Sequence, residues 1–105
     1  MNDASSRGTF LALLALQDGP KHGYEISTWI EARSRGFFSL SFGALYPILH
    51  RLEKEGLVEG AWEAAGEARR RKVYALTPAG LASVVGERAH HAAQARAFAL
   101  LLGES

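Results

Sequence analysis

Thr77-Pro78 opens a helical pattern that only Gly80 and Gly86 interrupt before about Leu102. A hydroxyl N-cap followed by proline at the first helical position is a strong start signal. The run is roughly 25 residues, about twice the usual helix of a globular protein, and a chain of 105 residues cannot bury it alone. Leu81, Val84, Val85, Ala92, Ala95, Phe98, Ala99 and Leu102 form a stripe with steps of three and four, in which alanines let another helix approach closely. The expected occupant is a second copy of the chain. Phe10 and Leu14 of the N-terminal segment are expected to join that contact, because their segment is apolar almost all round.

Composition bounds the rest. A chain of this length holds one domain, which excludes a two-domain enzyme. Hydrophobic residues at 48% and charged ones at 22% suffice for a core and lie far from disordered compositions. With no cysteine there is no disulfide framework, thiolate zinc site or thiol nucleophile, and a reducing, cytoplasmic setting fits. Met1-Asn2-Asp3 lacks a basic leader, and the apolar runs at 10–16 and 97–102 fall short of a membrane span of ~20 residues, so no membrane partner is expected. The net charge of +1 conceals an uneven distribution. Arg69-Arg70-Arg71-Lys72 is one uninterrupted basic run, preceded by the acids Glu63 and Glu67, and it makes a single sharply basic spot.

Along the chain, a polar arm at 2–8 leads into a helix expected from about 7 to 17, stopped by Asp18-Gly19-Pro20. A second helix is expected from about 22 to 33, with Ile26, Trp29, Ile30 and Arg33 on one stripe and Gly36 as terminator. Ser39-Leu40-Ser41 offers a hydroxyl cap for a third, from about 42 to 55, ended by Gly56 in the left-handed conformation. At 100° per residue, Phe42, Leu45, Leu49 and Leu52 point to a core, while Gly43, Tyr46, Pro47, His50, Arg51 and Lys54 lie opposite. Pro47 costs ~3 kcal/mol inside a helix, which predicts a loosened first turn. The period then changes to two, and the runs 57–63 and 71–76 flank a glycine-containing loop as a hairpin.

Helix, helix, helix, hairpin, helix is mainly α with a small β-hairpin (α+β): a winged helix-turn-helix at 1–77 with a C-terminal dimerisation helix at 78–105. In such motifs the helix after the turn enters the major groove and the wing meets the backbone or minor groove. Three segments carry a closer resemblance: Lys21-His22-Gly23-Tyr24-Glu25-Ile26; the stretch 41–57 beginning Ser41-Phe42-Gly43-Ala44-Leu45-Tyr46-Pro47; and Arg70-Arg71-Lys72-Val73-Tyr74-Ala75-Leu76-Thr77-Pro78-Ala79-Gly80. In order and spacing, over roughly residues 9 to 85, they resemble the PadR-like transcriptional regulators, in the compact branch with one C-terminal helix. The resemblance implies a homodimeric repressor of a nearby promoter, released by a phenolic or otherwise aromatic small molecule.

Duplex DNA is thus the expected partner, at a pseudo-palindromic site. On the third helix, Gly43 and Ala44 leave the backbone approachable and Pro47 lies on the same face. Ser41 and Tyr46 are expected to meet phosphate, and His50, Arg51 and Lys54 base edges or backbone. Arg69, Arg70, Arg71 and Lys72 are expected at phosphate or a narrow minor groove, although alternation turns only half of them to one side. Lys21, His22 and Tyr24, at the start of the second helix, are candidates for phosphate contact, His22 equally for a cap. Trp29 and Phe98 are candidate effector contacts by stacking. His90 and His91 point about 100° apart and cannot chelate one metal together; no metal or cofactor is expected. A protein-interaction module on the same fold is the competing reading. Without a catalytic triad spacing, phosphate-binding glycine loop or metal motif, an enzyme is not.

Overall fold

Apolar residues at helical spacing make the first helix the centre of the molecule. The computed structural model describes residues 3–64, 66 and 70–104. Helix α1 (Asp3–Gln17) buries Ala12, Leu13, Ala15 and Leu16, with Phe10, Leu11 and Leu14 packed against the same core. It begins before the expected start near Arg7. Gly8, read from sequence as part of a polar arm, is buried where the third helix comes close, since a Cβ there would lie 2.7 Å from Ile48 Cδ1. Tertiary contact of this kind outweighs the weak helix propensity of glycine.

A strand not foreseen in the sequence follows, β1 (Lys21–His22). His22 is also the N-cap of α2 (Gly23–Arg33), in a reciprocal capping box with Glu25. The Glu25 N–H donates to His22 Nδ1 at 3.3 Å, and the His22 N–H donates to Glu25 Oε1 at 3.0 Å. Helix α2 buries Ile26 and Ile30.

Helix α3 (Phe42–Lys54) starts at Ser41, whose Oγ accepts from the Ala44 N–H at 3.2 Å. Leu45, Ile48, Leu49 and Leu52 are its buried face. Two expectations are corrected. The first turn is regular, with the Leu45 N–H donating to the Ser41 carbonyl at 2.9 Å and Pro47 accommodated within a continuous helix. Phe42 is 51% exposed and Ile48 takes the core place assigned to it. Gly56 closes the helix at φ 78°, as expected.

Strands β2 (Val58–Ala64) and β3 (Arg70–Leu76) pair antiparallel from Val58 opposite Leu76 to Ala64 opposite Arg70, and β1 adds to the far side of β3. Thr77 then joins the wing to α4 (Pro78–Leu101). Its Oγ1 accepts from the Gly80 N–H at 3.0 Å and donates to the Gly56 carbonyl at 2.7 Å. A Cβ at Gly80 would strike the Leu57 carbonyl, so only glycine lets the helix start this close to the α3–β2 turn. Val84 is fully buried in the core of its own chain. It therefore drops out of the stripe expected to meet a second subunit. Phe10, expected there too, is half-buried and stacks on His91 of α4 at 4.2 Å between ring centroids. No helix among the described residues is long and apolar enough to cross a membrane.

Candidate nucleic-acid interface

The four buried residues of α3 turn the opposite side of the helix to solvent. Gly43, Ala44, Tyr46, Pro47, His50, Arg51 and Lys54 are all exposed there, with Ser41 exposed at the cap. Space beside Gly43 is open, with nothing beyond its chain neighbours and its own helix backbone within 4 Å of a would-be Cβ. Pro47 has no N–H to offer the Gly43 carbonyl one turn back, so that acceptor is left to a donor from outside the helix. Arg51 lies at the α1 edge of this face, where its Nη2 donates to Thr9 Oγ1 at 2.8 Å.

On the other edge stands the wing. Residues directly opposite in an antiparallel pair share a face, so the register puts Gly60, Trp62, Lys72 and Tyr74 on one side, continuing to Arg70. Arg71 falls on the other side, opposite Glu63. Alternation thus divides the basic run as expected, for the part that can be described: Arg69 lies outside the described residues. Lys72 does not project outward. Its Nζ lies 2.8 Å from Glu53 Oε1 and ties β3 to α3, and the bond to that carboxylate raises the Lys72 pKa despite partial burial. Gly60 makes room for this pair, since a Cβ would collide with the Lys72 side chain. Tyr74 beneath it is buried, which pushes its phenol up and keeps it neutral.

The start of α2 is likewise more structural than its residue types suggested. Lys21 Nζ donates to the Ala15 carbonyl at 2.8 Å and to Asp18 Oδ2 at 3.0 Å, with the side chain only 12% exposed. It closes the C-terminus of α1, where a cation satisfies the last carbonyls. His22 serves as the cap described above. Tyr24, 73% exposed, reaches out beside α3. The Phe42 ring lies across Gly23, where a Cβ would strike it.

These elements enclose a cleft of about 420 Å³ between the start of α3 and the wing, lined by Tyr24, Phe42, Tyr46, Trp62 and Tyr74 together with His22 and Arg70–Lys72 of the wing. Sequence reasoning missed Phe42, Trp62 and Tyr74 as parts of this face. The period-two pattern that puts Trp62 and Tyr74 on one side of the hairpin was the available signal. The two residues expected to stack on an effector have separate surroundings. Trp29 carries Lys21 and Arg33 over its ring at 5.6 and 5.1 Å, while Phe98 is exposed far along α4.

A family model for the PadR-like transcriptional regulators matches residues 11–84. Transcriptional regulator Rv3488 of Mycobacterium tuberculosis is 39% identical over 72 residues, which are 68% of this chain and 63% of that protein's length. Among solved structures, a PadR-like transcriptional regulator from Bacillus cereus superposes with a TM-score of 0.77 at 28% identity, over 92% of each chain. Bacillus subtilis PadR, in complex with operator DNA, aligns over 74% of this chain and 44% of its own, with a TM-score of 0.69 and 26% identity. The family and these relatives are transcriptional regulators, not enzymes. With the match spanning helices α1 to α3, the wing and the start of α4, the chain belongs to the PadR-like family of transcriptional regulators.

Proposed function

We propose that this regulator is a dimeric, sequence-specific DNA-binding repressor that acts in the cytoplasm and is released by a small aromatic or hydrophobic effector. Residues 1–77 would read DNA and 78–105 would join two copies. One observation carries the reading: the slim and basic side of α3, from Gly43 to Lys54, stands exposed beside a wing that projects Arg70 and Arg71. A helix fits the major groove, and cations on a flanking hairpin fit phosphate. The operator complex of the Bacillus subtilis relative supports the same assignment. Dimerisation is supported by the exposed apolar residues Leu81, Val85 and Leu102 of α4.

The test is a gel-shift on the DNA upstream of the chain's own gene across a salt series. The expected complex prefers a pseudo-palindrome with half-sites one or two helical turns apart, ~34 Å per turn. Replacing Arg70 and Arg71 by alanine should weaken it on all sequences and reduce the log–log salt slope by about 0.9 for each phosphate no longer neutralised. A protein-interaction module would tolerate both changes, and absence of any salt-sensitive, sequence-preferring complex overturns the proposal.

A further inference from the structure

We propose that the main-chain carbonyl of Gly43 reads one base of the operator, accepting a hydrogen bond from an exocyclic amino group in the major groove. The inference rests on the DNA-binding reading above and names an atom that would discriminate sequence. Glycine and proline are the two poorest helix formers, and α3 carries one of each, a turn apart, on its exposed side. Packing requires neither. Every other described glycine except Gly86 either holds a positive φ or has a neighbour that its Cβ would strike, whereas the space beside Gly43 is open. Pro47 is likewise exposed, on the side away from Leu45, Ile48, Leu49 and Leu52. Residues that break a local rule without a gain to the fold are expected where function uses them.

The two residues act together. Proline at 47 supplies no N–H to the carbonyl at 43, and its ring crowds that oxygen. Carbonyls on the solvent side of a helix tilt outward, and glycine adds no side chain to bar the approach of a flat base edge. At about 100° per residue, Gly43 and Pro47 lie with His50 and Lys54 along the middle of the outward face. Gly43 is also in the first turn of α3, the part of a recognition helix that meets bases. The side chains around it are mostly donors. Arg51 and Lys54 only donate, the Ser41 hydroxyl already accepts from the Ala44 N–H, and the Glu53 carboxylate is held by Lys72. In the major groove guanine and thymine present acceptors alone, and the donors are adenine N6 and cytosine N4. A carbonyl, which can only accept, therefore admits adenine or cytosine at one position and rejects guanine and thymine, whose oxygens would face it unpaired.

The test uses the full chain and the operator that it selects from random duplexes. In that operator each adenine is replaced in turn by purine, which lacks the N6 amino group, and each cytosine by 2-pyrimidinone, which lacks N4. At one position in each half-site the removal should weaken binding by the unaltered chain about fivefold, the scale of one net hydrogen bond, and the base found there tells adenine from cytosine. Pro47→Ala, whose new N–H would occupy the carbonyl, should bind the intact operator about fivefold more weakly and be indifferent to that removal. Its salt slope should stay unchanged, because no phosphate contact is lost. Comparing two proteins on the same duplex cancels any change in the DNA itself. Gly43→Ala should weaken the intact operator as well. Both substitutions favour the helix, so lost binding cannot come from a lost fold. A Pro47→Ala chain that loses as much as the unaltered one at every amino group overturns the proposal, as does a Gly43→Ala chain that binds undiminished. So does coupling of Pro47→Ala to uracil in place of thymine instead, which would make the proline ring a methyl contact. These outcomes leave the DNA-binding reading intact, whereas a chain that selects no preferred duplex overturns both.

Discussion

Arg35 holds a left-handed backbone conformation, φ 54°, at the place where α3 and α4 use Gly56 (78°) and Gly103 (83°). All three helices end with the same pair of bonds. For α2 these run from the Gly36 N–H to the Glu31 carbonyl and from the Arg35 N–H to the Ala32 carbonyl. An L side chain is strained there and glycine is not. Arg35→Gly should therefore stabilise the fold by about 0.5 to 1 kcal/mol, read as a higher urea midpoint with an unchanged slope. At the end of α1, the bond from Lys21 and its charge hold the Asp18 carboxyl below its ordinary value of 3.8. A depressed carboxylate pKa adds stability above the unfolded-state value and loses it as pH falls through the native one. The advantage of the unaltered chain over Asp18→Asn should be fully present above pH 3.8 and shrink below it. An advantage constant down to full acid unfolding would mean that the Lys21 contact does not act through ionisation.

At the scale of elements, α3 carries its proline without a break. Pro47→Ala restores the N–H that the Gly43 carbonyl lacks, and should raise stability by about 1 to 3 kcal/mol; an unmoved thermal midpoint would mean that water already replaces that bond. The helices and hairpin were legible because each spans several periods of its pattern, and because Ser41, Gly56 and Thr77 mark the ends in residue types with one physical use. Strand β1 has two residues and therefore no period to read. Its pairing, Lys21 with Tyr74 and His22 with Val73, exists only once the wing is folded against α2. The candidate site divides the same way. Which residues of α3 face outward followed from the 3.6-residue period, apart from Phe42 at the border. The roles of Lys21, Lys72 and Val84 were not legible, since residue type suggests an exposed cation or a free apolar stripe, whereas Asp18, Glu53 and the core of α1 claim them through contacts set by packing.

At the scale of the molecule, the radius of gyration is 15.2 Å, against about 13 Å for a compact chain of this length. The long dimension is 57 Å and the other two 28 and 25 Å. Helix α4 runs 24 residues, of which only Gly80 and Val84 are buried, while Leu81, Val85, Phe98, Leu100, Leu101 and Leu102 are exposed. Apolar residues on so exposed a helix favour association, and Leu81, Val85, Ala92, Ala95, Ala99 and Leu102 fall within one arc at 100° per residue. Val85→Glu with Leu102→Glu tests this without touching the core, since both side chains are already more than half exposed, at 54% and 71%. The doubly altered chain should keep its helical circular dichroism and scatter light as a monomer at micromolar concentration, where the unaltered chain scatters as a dimer. Two linked half-site contacts bind more tightly than either alone. The same substitutions should therefore weaken operator binding at least a hundredfold while leaving Arg70 and α3 unchanged, and an altered chain that remains dimeric would place the subunit contact elsewhere.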